Sequence, residues 1–402
     1  MKFSVIGTYD NDIHQLLEMT KKHDFSGCDI VVLTWVWETA SLPKWQRASR
    51  LLVDAIHKQN PGVKIILMVN SWYRVYRDHF DTLVGVDQVV YLDFFLLLVH
   101  WRLMTNQESK LSQQWHSDLK NMLFLTGKPH KINRIRLLYK LSKHRLLNNC
   151  TWSLFMTKSL TEQCRKFLAE LPDDEYQQFV DTHKSQPDDI PLVEQEYSVH
   201  YSGIPYSDNL YNDALFQIVP ETDYRKKIPW ITEKIWLAII NRRPFIVASS
   251  VGTLHKLREM GFRTFNEYLD ITDYDDIEDD EARLDAIVHN AASWLVSIKH
   301  QEDVVRADTE YNFQRFMQLA EQNITKLKKV ILQYGLECEI DQLIPLKDLR
   351  AIEELGQWKK FYETVRDPSW PDCDNERDFK KLPESIQKEC IEVFKYRPKE
   401  LF

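Results

Sequence analysis

Three consecutive residues, Thr232, Glu233 and Lys234, place a hydroxyl, a carboxylate and an ammonium side by side. The apolar run behind them predicts a short helix over 232–241, so all three stand at its first turn. A helix start offers unpaired N–H groups and the positive end of the helix dipole, which attract anions. A predicted strand and a turn at Gly252 follow, which completes the layout of a phosphate and ribose clamp in an α/β domain. An ordinary helix start, with Thr232 as its cap, is the competing interpretation.

Two further cations, Lys128 and Arg134, follow another predicted strand, residues 121–126. Gly127 lets a phosphate or sugar approach the backbone, and an arginine at the next helix start can grip a phosphate with two parallel hydrogen bonds. The segment from Lys128 to Arg145 contains seven basic residues and no acidic one. This basic helix either faces an anion or forms a solvated surface, whereas Arg134 itself is predicted to be functional.

The elements that must position these residues follow from the hydrophobic pattern. Apolar runs separated by polar helical stretches predict parallel strands with crossover helices in both the first and the second part of the chain. The predicted strands span residues 3–6, 29–33, 64–69, 88–92, 121–126, 151–156, 214–219 and 245–248. Beyond about residue 308 the pattern becomes almost wholly helical.

The chain has 402 residues, which exceeds one comfortable hydrophobic core. Two α/β halves followed by helices predict an α/β fold with two Rossmann-like domains facing a cleft, as in GT-B enzymes, and a helical C-terminal region. The predicted boundaries are residues 1–118 for an acceptor-side domain, 119–305 for a donor domain and 306–402 for the helical region, which packs back on the domains.

The second half carries an ordered series of motifs over residues 209–283. The series resembles a group of GT-B-type glycosyltransferases found mainly in tailed bacteriophages and other large DNA viruses, and its Thr-Glu-Lys core is similar to the donor-binding segment of α-1,3-fucosyltransferases. Its upstream part, Phe124 to Pro129 and Asn133-Arg134, fits the same phage-type pattern, so the resemblance covers about residues 122–295. Its main elements are Leu215 to Thr222, Thr232-Glu233-Lys234, Arg243-Pro244-Phe245, Gly261 to Phe265 and Tyr274-Asp275.

The resemblance implies transfer of a sugar from a nucleoside diphosphate sugar, UDP- or GDP-linked, to an acceptor hydroxyl. Glu233 would hold the ribose hydroxyls, and Lys234 would pair with the diphosphate. Lys234 and Arg134 would offset the charge of the departing diphosphate. An inverting enzyme also needs a base for the acceptor hydroxyl, and the predicted candidates at strand ends are Asp10, Asp12 and Glu38.

Composition narrows the class of protein. Hydrophobic residues make up 44% and charged residues 28%, a globular mixture. Six cysteines without a C-x-x-C pair argue against a zinc site or a disulfide framework and favour a cytoplasmic setting. The missing P-loop and G-x-G-x-x-G fingerprint disfavour a kinase or a dehydrogenase. No membrane span is predicted, and no metal is strictly expected, because the acidic patch at residues 273–276 is better explained as a cap for the helix beginning near Asp280.

Three hypotheses remain, and two of them differ in the acceptor of the sugar. A surface glycan suits the net charge of -8, and a tryptophan-rich rim at Trp35, Trp37 and Trp72 can stack on sugars. A hydroxymethylated pyrimidine in viral DNA is the alternative acceptor, in which case the basic helix would serve phosphates. A catalytically silent binding or assembly protein of the same fold is the third hypothesis.

Overall fold

The computed structural model of the protein describes residues 3–8, 20, 23–35, 42–70, 81, 83–105, 115–119, 121–126, 132–154, 171–184, 211–221, 224, 229, 231–265 and 273–336. The chain divides into two compact units. The first combines Met1–Phe94 with Asn323–Phe402, and the second is Phe95–Gln322. The boundaries predicted at 118/119 and 305/306 remain predictions.

The first unit contains a parallel sheet. Its strands pair in the order β1-β2-β3-β4, every neighbouring pair is parallel, and the part described here follows the chain order without a reversal. Apolar residues occupy residues 30–33 of β2 and 65–69 of β3 without interruption and are all buried, as expected for strands that are covered on both faces. The elements are β1 Phe3–Thr8, β2 Ile30–Trp35, α1 Leu42–Gln59, β3 Lys64–Asn70 and β4 Gln88–Leu92.

The second unit contains a second parallel sheet, with a different strand order. Its strands run β6-β5-β7-β8, so the order reverses at β5, which has β6 on one side and β7 on the other. The strands are β5 Asn121–Thr126, β6 Cys150–Leu154, β7 Ala214–Pro220 and β8 Phe245–Ala248. The helices are α2 Phe94–Thr105, α3 Ile132–Lys143, α4 Asp173–Lys184, α5 Glu233–Ile240, α6 Thr253–Glu259, α7 Asp280–Ser297 and α8 Glu302–Tyr334, and α8 continues into the first unit at Asn323.

The core of the second unit forms around β7 and α5. Every residue of β7 is buried, and so are residues 235–240 of α5, which packs against β7 and β8. Trp294 of α7 closes the other side, where its ring meets Phe216 edge-on at 5.3 Å between centroids and Phe265 at 6.1 Å. This packing fixes the carboxyl end of β7 and the first turn of α5.

The structure confirms the predicted α/β class with parallel strands. All eight predicted strands are present, and three of them have the predicted bounds. The predicted basic helix begins and ends earlier than expected, at Ile132–Lys143, and a short 3-10 turn follows over Leu146–Asn149. The C-terminal region beyond residue 336 lies outside the described residues.

Candidate functional site

The candidate site lies where β7 ends and α5 begins. In open parallel sheets, ligands bind beyond the carboxyl ends of the strands, at the point where the strand order reverses. In this unit the reversal lies between β6 and β7 around β5, and β7 leads directly into Glu221. Glu221 and the residues that contact it therefore lie where a ligand is expected in such a sheet.

Glu221 is completely buried, and among the described residues Thr232 binds its carboxylate. Thr232 donates to both carboxylate oxygens, from its backbone amide to Oε1 at 3.0 Å and from its hydroxyl to Oε2 at 2.5 Å. The amide of Glu221 donates to the Ala248 carbonyl of β8 at 3.0 Å. Two hydrogen bonds to one acidic side chain thus join the strand end to the helix start, and a backbone bond ties the same residue to β8.

The environment of Glu221 alters its acidity. Burial raises the pKa of Glu221 to about 7, because water no longer solvates the ionised carboxylate. The ammonium of Lys234 and the hydrogen bonds from Thr232 work in the opposite direction and lower the pKa, while the carboxylate of Glu233 raises it. A side chain that normally ionises well below neutrality therefore exchanges its proton near neutral pH.

Thr232 caps α5 and also contacts Lys234. Its backbone is extended, and its hydroxyl oxygen accepts from the Lys234 amide at the long distance of 3.5 Å. The same oxygen accepts from Lys234 Nζ at 3.0 Å, and Nζ also donates to Glu233 Oε1 at 2.7 Å. Because both partners precede Lys234, its side chain folds back over the N-terminal end of the helix.

The position of Lys234 runs against helix electrostatics. A cation is unfavourable at a helix N-terminus by about 0.3–1 kcal/mol, because the dipole is positive there. Glu233 compensates for part of this cost, since it forms an ion pair with Lys234. Burial alone would raise the pKa of Glu233, but Lys234 and the hydrogen bonds around it bring that pKa below its ordinary value. The first turn therefore holds an ionised carboxylate and an ammonium that is well placed for an anion.

No family model, curated protein or solved structure matches this chain. Of the predicted site residues, Thr232, Glu233 and Lys234 form one hydrogen-bonded cluster. Asp10, Asp12, Glu38 and Lys128 lie outside the described residues.

Arg134 lies in the first turn of α3 and is 5% exposed. The helix follows β5, which pairs in parallel with β7, so α3 and α5 both start from the carboxyl ends of neighbouring strands. The predicted participation of Arg134 is therefore compatible with the sheet. Its contact with a phosphate remains a prediction.

The remaining cations of α3 lie on a paired surface. Lys140 forms salt bridges with Glu281 and Asp285, and Arg136 also pairs with Glu281 of α7. Lys143 pairs with Glu175 of α4 at 3.0 Å. These three side chains therefore form ion pairs with acidic residues distant in sequence. Whether the helix faces an anion or forms a solvated surface remains a prediction.

The acidic patch at residues 273–276 caps a different helix from the predicted one. Asp275 accepts from the amides of Leu254 at 2.9 Å and His255 at 2.7 Å, at the start of α6. The helix beginning at Asp280 is capped instead by Asp279, which accepts from the Ala282 amide at 2.8 Å. The two amides that follow the turn at Gly252 by two and three residues therefore already donate to an internal carboxylate.

The motif from Gly261 to Phe265 has a structural role. Gly261 adopts a left-handed φ of 89°, and Arg315 Nε donates to the neighbouring Met260 carbonyl at 2.7 Å. The side chain of Asn312 bonds both the amide and the carbonyl of Arg263, each at 2.9 Å. This turn is therefore anchored to α8, and its sequence pattern reflects packing.

In the described part of the chain, no three His, Cys, Asp or Glu side chains gather as a metal-binding group. No helix in the same residues combines the length and the apolar character needed to cross a bilayer.

Glu221 is the residue of this cluster that the sequence analysis did not single out as a candidate. The available signal was its position immediately after an apolar strand, at the edge of a parallel sheet where ligands bind. What the sequence alone could not provide was the contact with Thr232, eleven residues later along the chain.

Proposed function

We propose that the protein is a glycosyltransferase that moves a sugar from a nucleoside diphosphate sugar, UDP- or GDP-linked, to an acceptor hydroxyl. The observation that supports this most is the Thr232-Glu233-Lys234 cluster at the start of α5, beyond the carboxyl end of β7. It combines an ammonium at a helix N-terminus with an ionised carboxylate one residue away. These two groups suit a diphosphate attached to a ribose, because the ammonium can neutralise a phosphate and the carboxylate can accept from the ribose hydroxyls.

The roles of the two charged residues follow from their chemistry. The ammonium of Lys234 pairs with a diphosphate oxygen, and the N-terminal end of α5 adds its dipole. The carboxylate of Glu233 accepts from the two vicinal ribose hydroxyls. As the bond to the sugar breaks, negative charge grows on the diphosphate, so Lys234 stabilises the transition state more than the ground state.

The proposal includes a larger architecture. Two Rossmann-like domains face a cleft, as in GT-B enzymes, with the donor in residues 119–305. Arg134 and Lys128 add further positive charge around the diphosphate. Asp10, Asp12 and Glu38 are the proposed acceptor-side candidates for the catalytic base, if the reaction inverts the sugar configuration.

For the acceptor we favour a glycan hydroxyl over modified DNA. The chain carries a net charge of -8, so it repels a polyanion as a whole. The ion pairs of Arg136, Lys140 and Lys143 weaken the basic helix as a phosphate-binding surface. Both observations suit a neutral acceptor better than a duplex, which binds through phosphate contacts.

Calorimetric titration with UDP-, GDP- and ADP-sugars tests the donor site. We expect one nucleotide class to bind, and Lys234→Ala to weaken its affinity about 10- to 100-fold, the value of one charge-assisted hydrogen bond. Lys256→Ala is the matched control, because Lys256 forms an exposed ion pair with Glu259 in the same unit. The melting temperature should barely change in either variant.

Two outcomes oppose the proposal. A folded protein that binds none of the three nucleotide sugars has no donor site, which leaves the catalytically silent binding or assembly protein. Equal affinity in the Lys234→Ala and Lys256→Ala variants would remove Lys234 from the site. For the acceptor, retention on a DNA column with a steep salt dependence would overturn the glycan proposal in favour of DNA.

A further inference from the structure

Glu221 stands behind the donor residues. It is fully buried, whereas Glu233 and Lys234 are partly exposed. We propose that Glu221 is the positioning carboxyl of the donor site and takes up one proton when the donor diphosphate binds. This inference rests on the proposed function, since it requires a diphosphate at Lys234.

The positioning role follows from the hydrogen bonds of one hydroxyl. The Thr232 hydroxyl has a single hydrogen, and Glu221 Oε2 accepts it at 2.5 Å. The lone pairs of the same oxygen therefore remain for Lys234 Nζ, which donates to it at 3.0 Å. Glu221 thus fixes the hydroxyl orientation that holds the ammonium in place, without touching the donor itself.

The proton uptake follows from the charges. Among the described residues, the charged groups that act on Glu221 are Lys234 and Glu233, both at the start of α5. The neighbouring strand β8 contributes the neutral carbonyl of Ala248. When both carboxylates are ionised, these three side chains sum to one negative charge, which repels an incoming diphosphate. Protonation of Glu221 removes that repulsion.

Donor binding and protonation of Glu221 are coupled in the neutral pH range. Burial raises the pKa of free Glu221 to about 7, so a substantial fraction is ionised before the donor arrives. A nearby anion raises the pKa of a carboxyl further, and binding therefore draws a proton from water onto a Glu221 oxygen. By linkage, affinity for the donor falls as the pH rises through this range. The proton returns to water when the diphosphate leaves.

Calorimetry in two buffers with different ionisation enthalpies measures this proton directly. UDP-glucose and GDP-mannose are the probes, because their diphosphates stay fully ionised across the range and do not titrate themselves. At about pH 7.5 we expect the wild type to take up roughly half a proton or more, and its affinity to fall about tenfold between about pH 7 and pH 9. Glu221→Gln should take up none and have a flat affinity profile.

Glu310→Gln is the matched control, since Glu310 is a carboxylate in the same unit that pairs with Arg242. This variant should keep the proton uptake of the wild type. Equal uptake in the wild type and the Glu221→Gln variant would overturn the assignment while leaving the proposed function intact. A wild type that binds neither probe at any pH would instead remove the proposed function.

If the Glu221→Gln variant does not fold, a measurement on the wild type alone still tests the proposal. Infrared difference spectra of the ¹³C-glutamate-labelled wild type should gain a protonated-carboxyl band when the nucleotide sugar binds. An unchanged band would contradict the proposal. If the role of Glu221 were purely structural, Glu221→Gln would change the donor affinity by the same factor at every pH. The pH profile of the affinity therefore distinguishes a structural role from proton uptake.

Discussion

Replacing Glu221 with glutamine should change how the stability of the protein depends on pH. The carboxyl is buried and its pKa rises from the ordinary 4.5 to about 7 on folding. The folded state therefore binds the proton more tightly than the unfolded state. The contribution of Glu221 to stability is largest below about pH 4.5, falls between there and pH 7, and is constant above. Glutamine stays neutral, so the Glu221→Gln variant should lack this loss.

The magnitude follows from the separation between the two pKa values. Each pKa unit is worth about 1.4 kcal/mol, so the full loss of unfolding free energy is about 3 kcal/mol. Glutamine keeps the contact with the Thr232 amide through its oxygen, while its NH2 group donates to the Thr232 hydroxyl and so reverses the direction of the second hydrogen bond. At pH 8 the variant should therefore exceed the wild type in stability by up to about 3 kcal/mol.

Thermal melting at about pH 5 and about pH 8 measures the difference. For a domain of 150–250 residues, 3 kcal/mol corresponds to a change of about 6–12 °C in the melting temperature. The gap between Glu221→Gln and wild type should widen by that amount on going to the higher pH. In Glu310→Gln the gap should stay constant, since the pKa of Glu310 lies below its ordinary value. A gap of equal size at both pH values for Glu221→Gln would refute the reasoning.

Three substitutions test the turns around α6. Gly261→Ala should lower the unfolding free energy by about 1–3 kcal/mol, because φ is 89° and a Cβ would lie 2.8 Å from Arg315 Nε. Gly252→Ala, with φ of 79° but no contact closer than 3.8 Å, should lose less in the same denaturation experiment, and equal losses would contradict the clash. Asp275→Asn should leave one of the two α6 amides unpaired and cost about 1–3 kcal/mol, visible as faster hydrogen exchange at the start of α6. Exchange there that is unchanged from the wild type would show that this cap is dispensable.

The sequence predicts the elements of this fold well because their signals are local. Continuous apolar runs mark β3 over residues 65–69 and β8 over residues 245–248, and in β7 Gln217 interrupts the run. The strand bounds lie within about one residue of where those apolar stretches stop. The start of α5 is marked by a threonine followed by an acidic residue and an apolar run, and Thr232 does cap the helix. Each of these features depends on neighbours within a few positions.

The ion pairs of this fold could not be predicted from local sequence patterns. The cations of α3 and the carboxylates of α7 are 145 residues apart, and no local rule pairs Arg136 with Glu281 or Lys140 with Asp285. In the sequence they form a basic segment and an acidic segment, and each predicts a separate binding partner. In the fold each is the partner of the other. Asp275 is a similar case, since its amide partners lie 20 and 21 residues earlier.

Strand order helps to decide whether the Thr-Glu-Lys tripeptide is a ligand site or an ordinary helix cap. Periodicity predicts parallel strands but not their sequence across the sheet, and a threonine-capped helix start is common on any protein surface. Here β7 lies beside the reversal at β5, and its last residue leads into the buried carboxyl that binds Thr232. An ordinary cap would need neither a buried acid behind its hydroxyl nor a lysine folded over the positive end of the helix. Both features cost stability, so a site that binds an anion accounts for them better than a cap does.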